Sequence, residues 1–315
     1  MSPRQKAWRR NLLWFVLTLG VTVVVLVPFF EDAASEFLHR EKAVKLLFTG
    51  DGMFDRTVRT TGERQGYEYI LEPLSDTFAR HDAVIMNVEG PITTYPSVSA
   101  DAPVGDPNNT RFTFSSAIVP VLSKLNVIAH VGNNHIWDFG REGIEQSKNF
   151  LEEADVPYFG DSNGASSNTL IREIEGSTIG FVSYNEFAGG SRTRALEALR
   201  MLSPSVDFTV LYAHWGEEYT NVPTPNQTVL AREFVDAGAD LVLGSHSHTV
   251  QAREVIEGVP VYYSLGNLVF DQYWEKSVRC GALLSIVIKN GVVESHELIP
   301  VSLEKNRQTT LEKCE

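Results

Sequence analysis

The chain has 315 residues and a formal net charge of −13 at neutral pH. Four of its 27 Lys and Arg residues precede residue 11, so the chain beyond residue 30 carries 23 cations against 40 Asp and Glu residues, a net charge of −17. So acidic a surface argues against nucleic acid as a main partner, although one cleft can be locally positive if it holds metal ions. The apolar fraction of 43% and the charged fraction of 21% exclude wholesale disorder.

The first thirty residues predict a membrane anchor. Four cations at positions 4–10 precede the nineteen uncharged residues of Leu12–Phe30. At about 1.5 Å per residue this run can cross a bilayer core of about 30 Å. The cations before it and the acids after it predict a cytoplasmic N-terminus and an extracellular or periplasmic body. A cleaved signal peptide is the alternative, but the run is long for one and no small-x-small site follows it.

The remaining chain divides into a polar stalk, one catalytic domain and a short tail. The predicted segments are a basic cytoplasmic segment at 1–11, the anchor at 12–30, the stalk at 31–42, the domain at 43–303 and the tail at 304–315. The domain's strands and helices alternate, which predicts an α/β fold. Between its second strand and its next helix, Pro96–Thr110 is rich in Pro, Ser, Asp and Asn, and we expect a long exposed loop near the site.

In chain order, the predicted strands are Val44–Thr49, Ala83–Met86, Val127–Val131, Leu170–Ile174, Ile179–Ser183, Asp207–Tyr212, Leu241–Leu243, Val261–Ser264, Leu283–Ile288 and Val292–Ile299. Glu175-Gly176 and Asn290-Gly291 are hairpin turn signals between neighbouring strands. The predicted helices are Glu68–Arg80, Ser116–Leu125, Gly143–Ala154, Thr193–Met201 and Thr228–Gly238.

Polar side chains recur where the predicted strands end. They are, in chain order, Asp51, Glu89, Asn134, His135, His214, His246 and His248. Because the carboxyl ends of strands in an α/β sheet share one edge, these side chains are expected to meet there although they span two hundred positions. Taken alone, Asp51 between two glycines or His214 after a strand is weak evidence. The recurrence of polar side chains at the ends of several predicted strands favours a functional site.

The sequence Gly-Ser-His-Ser-His at 244–248 carries the most specific of these signals. Two imidazoles two residues apart are expected on one side of an extended segment, as a pair of nitrogen ligands. An exposed loop pair without a ligand is the alternative for this motif alone. With two carboxylates and an amide oxygen, the imidazoles form a mixed shell suited to one or two Mn, Zn or Fe ions rather than calcium. His135 is the candidate general acid, with Asp138 orienting its ring.

Six motifs in this order resemble the CapA/PgsA family of poly-gamma-glutamate capsule synthesis proteins, a branch of the calcineurin-like metallophosphoesterases. The motifs are Gly50-Asp51-Gly52-Met53, Asn87-Val88-Glu89-Gly90-Pro91, Asn133-Asn134-His135 with Asp138 and Gly140, His214-Trp215-Gly216-Glu217-Glu218-Tyr219, Gly244-Ser245-His246-Ser247-His248 with Gln251, and Tyr263-Ser264-Leu265-Gly266-Asn267 through Asp271.

This resemblance covers about residues 44 to 300 and implies a four-layer α/β/β/α sandwich of the metallo-dependent phosphatase type. It also implies a dinuclear centre, in which Asp51 and His248 bind the first metal and Glu89 stands at the bridging position. Asn134, His214 and His246 would bind the second metal, and His135 matches the general-acid histidine.

One position departs from the pattern that the resemblance implies. The superfamily has Asp-x-His in its first motif, and here the histidine position holds Met53. The first metal therefore lacks an imidazole, and Glu89 is longer than the usual bridging aspartate. Both differences bear on whether two metals bind.

The leading expectation is a membrane-anchored, metal-dependent hydrolase in synthesis or export of poly-gamma-glutamate. Its expected partners are an anionic polymer or phosphoester, the membrane and other capsule-synthesis membrane proteins, with no nucleic acid. A non-catalytic assembly or polymer-binding factor and a general extracellular phosphodiesterase are the alternatives. The sequence leaves open whether Cys280 and Cys314 pair; the simpler interpretation is a buried strand residue and a tail residue.

Overall fold

The computed structural model describes residues 43–160 and 168–312. From Ala43 onward the chain forms one compact unit. The predicted anchor, Leu12–Phe30, lies outside the described residues, as do the stalk and Cys314. Within the described ranges, no helix has the length and apolar character needed to cross a bilayer. Cys280 is a strand residue, as interpreted, and is also disulfide-bonded.

The described residues contain sixteen strands, of which ten correspond to the predicted strands and six were not predicted. They are β1 Val44–Gly52, β2 Ala83–Val88, β3 Ile92–Thr93, β4 Phe114–Ser115, β5 Val127–His130, β6 Tyr158–Phe159, β7 Thr169–Ile174, β8 Ser177–Asn185, β9 Phe208–His214, β10 Leu241–Ser245, β11 Arg253–Ile256, β12 Val259–Tyr262, β13 Asn267–Val269, β14 Cys280–Lys289, β15 Val292–Leu303 and β16 Thr309–Thr310.

Of the five predicted helices, the last three are found with slightly longer bounds, and the first two are broken or shortened. They are α1 Arg56–Gln65, α2 Glu68–Leu71, α3 Ser75–Phe78, α4 Val119–Lys124, α5 Gly140–Glu153, α6 Ser191–Leu202, α7 Pro225–Asp236 and α8 Lys276–Arg279. The predicted helix Glu68–Arg80 is broken into α2, a 3-10 turn and α3, because Pro73 lies in that turn and lacks the N–H that a continuous helix requires. The sequence did not predict α1, since Val58 is its one aliphatic residue.

Two sheets carry the fold. The first has the order β16-β15-β14-β1-β2-β5-β6, with β13 paired to β1, and the second has the order β11-β12-β10-β9-β8-β7. In the first sheet β1, β2 and β5 run parallel, and in the second β8, β9, β10 and β12 do. Each sheet therefore presents several carboxyl strand ends at one edge. The Asn290-Gly291 turn joins β14 and β15 as predicted, with φ of 51° and 70°.

Three hydrophobic clusters define the layers. Successive residues of β1 point to opposite faces, so Leu47 packs with α1–α5 while Phe48 packs against the second sheet. Leu211 of β9 packs instead with α6 and α7, beside Phe234. The chain is thus a mixed α/β fold with two facing sheets and helices against their outer faces, consistent with the sandwich that the resemblance implies.

Candidate metal centre

Asp51 is fully buried near the end of β1, where its neighbours on both sides are amides. It lies beside Asn87 of β2 and Asn267 of β13 in the sheet register. Its carboxylate accepts from Asn87 Nδ2 at 2.8 Å and from the backbone N–H of His246 at 3.1 Å. Burial opposes ionisation of Asp51, but its hydrogen bond and charge attraction with His248, 3.2 Å away, outweigh burial and lower its pKa below the ordinary value.

Glu89 follows β2 directly and is also fully buried. Neither of its carboxylate oxygens has a hydrogen-bond partner among the described residues. The imidazole nitrogens of His248 and His214 stand at 3.8 and 3.9 Å from Oε1, too far for hydrogen bonds. Burial, and then the negative charge of Asp51, raise the pKa of Glu89 well above its ordinary value. A buried acid without donors is costly for the fold, which indicates a missing cationic partner.

His214, His246 and Asn134 come together although the chain separates them by up to 112 positions. His214 Nε2 lies 2.8 Å from Asn134 Oδ1 and 3.1 Å from His246 Nδ1. Burial, and then the neighbouring His246, lower the pKa of His214 well below its ordinary value. Burial and the charge of His248 lower the pKa of His246 to about 3. Both rings therefore stay neutral at physiological pH, the state in which imidazole binds metals.

The Gly-Ser-His-Ser-His motif reaches the site by a different backbone path from the predicted one. Of its five residues, only Gly244 and Ser245 belong to β10; His246 and His248 have φ of 92° and 57° and lie in the turn beyond it. The expected extended alternation was wrong, because the chain must turn sharply at the sheet edge. Gly244, within β10, allows a close backbone approach, since a Cβ there would lie 2.0 Å from the Tyr263 carbonyl oxygen. The two rings nevertheless face one centre, 6.0 Å apart.

Two groups of buried side chains could hold a metal, and they share Glu89. One contains Glu89, His214 and His246, and the other Asp51, Glu89 and His248. In each group the ligand atoms lie within 4.8 Å of one another. Asn134 Oδ1 adds an amide oxygen to the first group through its contact with His214. Carboxylate oxygens with neutral imidazoles suit Zn, Mn or Fe, and the unpartnered oxygens of Glu89 are where a cation would fit.

Met53 takes no part in either group. Its side chain is fully buried in the apolar cluster between the first sheet and the helices, and its sulfur accepts the Asp55 backbone N–H at 3.0 Å. The group with Asp51 consequently offers one imidazole, whereas the group with His214 offers two.

His135 and Asp138 form a dyad beside the two groups. His135 Nδ1 lies 2.8 Å from Asp138 Oδ2, and the same carboxylate oxygen accepts the Phe112 backbone N–H at 2.7 Å. The His135 ring packs on Phe112 with centroids 4.4 Å apart. Together these contacts fix the orientation of the His135 ring. His135 lies within a 3-10 turn, Asn134–Trp137, and Asp138 follows it, so neither residue stands directly at a strand end.

The sequence indicated no role for Asn87 and Asn267, which position two ligands, or for His130, which lies behind Asn87. Asn87 donates to Asp51 and lies 3.2 Å from His130 Nδ1, and Asn267 Oδ1 lies 3.0 Å from His248 Nδ1. Asn87 and Asn267 stand in the quoted motifs, so their position was a usable signal. His130 had none, because a histidine inside an apolar strand resembles any core residue. Such outer partners orient metal ligands.

The site opens onto a cleft of about 900 Å³. Asn134, His135 and His248 line it together with Arg56, Trp274 and part of the segment 99–110, the loop predicted to lie near the site. Most ligand atoms of the centre are buried, but these three residues give a bound molecule access to it.

Fold and site together define a mixed α/β protein with a buried carboxylate and imidazole centre able to bind metal. The chain belongs to the family described as bacterial capsule synthesis protein PGA_cap, whose model matches residues 45–272. It is 25% identical to the capsule biosynthesis protein CapA of Bacillus anthracis, over 96% of this chain and 79% of that protein. It is 29% identical to the PGA biosynthesis protein CapA of Bacillus subtilis strain 168, over 84% and 73%.

A solved structure supports the fold alone. A hypothetical protein from Thermus thermophilus superposes with a TM-score of 0.52 at 17% identity, covering 82% of this chain and 98% of that one.

Proposed function

We propose that this chain is a membrane-anchored, metal-dependent hydrolase with the four-layer metallophosphoesterase fold, acting outside the cytoplasm in poly-gamma-glutamate synthesis or export. Its substrate is an anionic polymer or a phosphoester linked to that polymer, and its neighbours in the membrane are other capsule-synthesis proteins. The observation that carries the hydrolase proposal is Glu89, a buried acid with no hydrogen-bond partner among the described residues, set among three imidazoles. The Bacillus relatives are capsule and PGA biosynthesis proteins, which supports the role in capsule synthesis.

Each side chain has a defined part in this proposal. Asp51, Glu89, Asn134, His214, His246 and His248 would hold one or two divalent Mn, Zn or Fe ions. Bound metals of this kind supply Lewis-acid polarisation and activate water near neutral pH. Asn87 and Asn267 fix two of the ligands through the hydrogen bonds described above.

His135 would donate the proton that the leaving group needs. Asp138 holds Nδ1, so Nε2 is the atom that can reach the substrate from the cleft wall. Water adds its oxygen to the phosphorus or carbonyl carbon and releases a proton to solvent, the bond to the leaving group breaks, and the proton from His135 ends on that group. Asp138 also stabilises the charged imidazole from which the proton comes.

The test compares His246→Ala with His296→Ala in the detergent-solubilised full chain. His296 lies on β15 beside Tyr262, outside the site, and serves as the matched histidine control. Metal content by mass spectrometry and turnover of a phosphodiester and of γ-linked glutamate oligomers are measured. We expect His246→Ala to lose metal and turnover while His296→Ala keeps both. Wild-type protein that holds no metal and hydrolyses neither substrate would overturn the hydrolase proposal.

A second function, a non-catalytic polymer-binding assembly factor, is favoured by Met53. Met53 occupies the position where the resemblance expects a histidine, and its sulfur accepts a hydrogen bond within the core. The group with Asp51 therefore has one imidazole. Under this alternative, pull-down of membrane-embedded synthesis proteins survives loss of His214, His246 and His248 together. Under the hydrolase proposal, capsule production in cells depends on those three residues. A general phosphodiesterase would instead cleave simple diesters with no preference for polymer.

A further inference from the structure

The cleft is larger than one reacting group needs. Its volume of about 900 Å³ is in the range of pockets that enclose a drug-sized molecule, whereas a single phosphate or carboxylate fills a small part of it. Arg56, Tyr219 and Trp274 also line the cleft, and none of them belongs to the metal centre. Whatever binds beyond the reacting group contacts these side chains.

Arg56 is the one Lys or Arg residue among the described residues that line the cleft. Its guanidinium lies over two aromatic rings, 5.1 Å from the centroid of Phe112 and 5.4 Å from that of Phe270. Asp271 forms an ion pair with its Nη2. Its backbone φ is 51°, an uncommon conformation for a residue with a side chain. These contacts hold the guanidinium in place before any ligand arrives.

Arg56 keeps donor capacity in spite of its ion pair. A guanidinium has five N–H donors, and here Nη2 bonds Asp271 while Nη1 makes one long contact of 3.4 Å to the Asn109 carbonyl. The other oxygen of Asp271 is held by Thr57, through Oγ1 at 2.8 Å. Asp271 is therefore anchored independently, and Arg56 can bind a second carboxylate without losing the first.

Two aromatic contacts link Arg56 to the metal centre. Phe112 packs on His135 with centroids 4.4 Å apart, and Phe270 packs on His248, in the turn after β10, with centroids 4.9 Å apart. One ring thus separates Arg56 from the candidate general acid, and one ring separates it from a candidate metal ligand. An anion on Arg56 and an anion at the metal centre would be neighbours within one extended molecule.

The rim beside this cation is aromatic and exposed. Tyr219 and Trp274 are 46% and 59% exposed, and their ring centroids lie 5.7 Å apart. Tyr219 also lies 5.8 Å from the ring of His248. Flat aromatic surfaces suit the methylene and amide parts of a chain whose charged groups are bound elsewhere.

We infer that Arg56 forms a second anion-binding subsite, which takes the carboxylate of the residue adjacent to the one held at the metal centre. The cleft then selects a chain with regularly spaced carboxylates, such as γ-linked glutamate, over an isolated anion. This inference rests on the proposed function, because it needs an anionic group at the metal centre as its first contact.

The test measures binding of a short γ-linked glutamate oligomer and of inorganic phosphate to the manganese-loaded full chain by calorimetry. Arg56→Met is compared with Arg56→Lys and with Arg192→Met. Arg192 pairs with Glu233 on the helices of the second sheet and does not line the cleft, so it is the matched control for losing an arginine and carboxylate pair. Thermal denaturation and metal content establish that each variant is folded and loaded.

We expect Arg56→Met to weaken oligomer binding about tenfold or more, because a hydrogen-bonded charge contact is lost. Phosphate binding should fall by clearly less, Arg56→Lys should lie between, and Arg192→Met should match wild type. Equal losses for both ligands, or no loss for the oligomer, would overturn the subsite while leaving the metal-centre proposal standing. Failure of wild type to bind either ligand would count against both.

Discussion

Two buried polar clusters lie side by side in this protein and differ in how their polar atoms are satisfied. In the metal centre, the carboxylate oxygens of Glu89 have no hydrogen-bond partner among the described residues. In the His130 network, which we define as His130, Asn87 and Ser183, the ring nitrogens both have partners. His130 Nδ1 lies 3.2 Å from Asn87 Oδ1, and Nε2 lies 2.8 Å from Ser183 Oγ.

The comparison separates a structural histidine from a candidate ligand. His130 is fully buried, stacks on Tyr212 at 4.5 Å and joins the first sheet to the second through Ser183. Both ring nitrogens of His130 have hydrogen-bond partners within the protein, so the ring requires no bound ligand. The oxygens of Glu89 have no such partners among the described residues, and a bound cation could supply them. Asn87 belongs to both, since its oxygen faces His130 and its nitrogen donates to Asp51.

Acid is expected to lower the free energy of unfolding more than a single substitution does, because it protonates histidines in both clusters. Burial lowers the pKa of His130 to about 3, and the pKa of His246 is also about 3, whereas an unfolded histidine titrates near 6.5. As pH falls below about 6.5 the unfolded chain takes up protons first, so stability that is complete above this pH is lost toward pH 3. From pH 7 to pH 5 the loss should be about 2 kcal/mol for each histidine.

Urea unfolding with a chelator at both pH values measures this loss. Glu89 opposes it, since a raised pKa favours the folded state as pH falls, but His130, His214 and His246 all act in the other direction. With manganese present the loss should be greater, because protonation also releases the metal. Stability that is flat or that increases on acidification would contradict this account.

Replacing His130, whose ring nitrogens both have partners, should lower the free energy of unfolding by less than acid does. The loss should be the same with and without metal. His130→Ala leaves a cavity beside Tyr212 and two unpaired groups, and we expect the free energy of unfolding to fall by about 3 kcal/mol. Urea unfolding with and without manganese measures it. His81→Ala is the control, since His81 is half-buried and also bonds through both ring nitrogens, and its loss should be smaller. A loss seen only in the metal-loaded protein would place His130 in the metal centre instead.

The smallest expected change is in the opposite direction, toward a higher free energy of unfolding. In the metal-free protein, Glu89→Gln removes a buried acid without donors, and the free energy of unfolding should stay level or increase by about 1 kcal/mol. Asp51→Asn disturbs a carboxylate that accepts from Asn87 and His246, and should lower it by about 1 to 2 kcal/mol. Metal titration should show lost affinity in both variants. Equal destabilisation of the two metal-free variants would remove the distinction between the hydrogen-bonded carboxylate of Asp51 and the unpartnered carboxylate of Glu89.

The ends of the predicted strands were the sequence feature that indicated the candidate site. Polar residues after apolar runs identified Asp51, Glu89, Asn134, His135, His214, His246 and His248, and the structure brings all of them to one region. The residues meet because strands of both sheets end in the same region, β1 and β2 of the first sheet and β9 and β10 of the second, whereas Asn134 and His135 reach it from a 3-10 turn. The predicted extended path of His246 and His248 was wrong, because β10 ends at Ser245 and both histidines have positive φ in the turn beyond it, which local alternation does not indicate.

By itself, the sequence determined which residue types follow which strands, because apolar periodicity and glycine positions are local properties of the chain. It also determined the family, through motifs that occur in a fixed order. Only the tertiary structure decided that Met53 lies in the core, that His130 is satisfied by Ser183, and that Arg56 lies over two aromatic rings in the cleft. Each of those facts depends on a partner far away in sequence, and no local pattern specifies which distant side chain will be in contact.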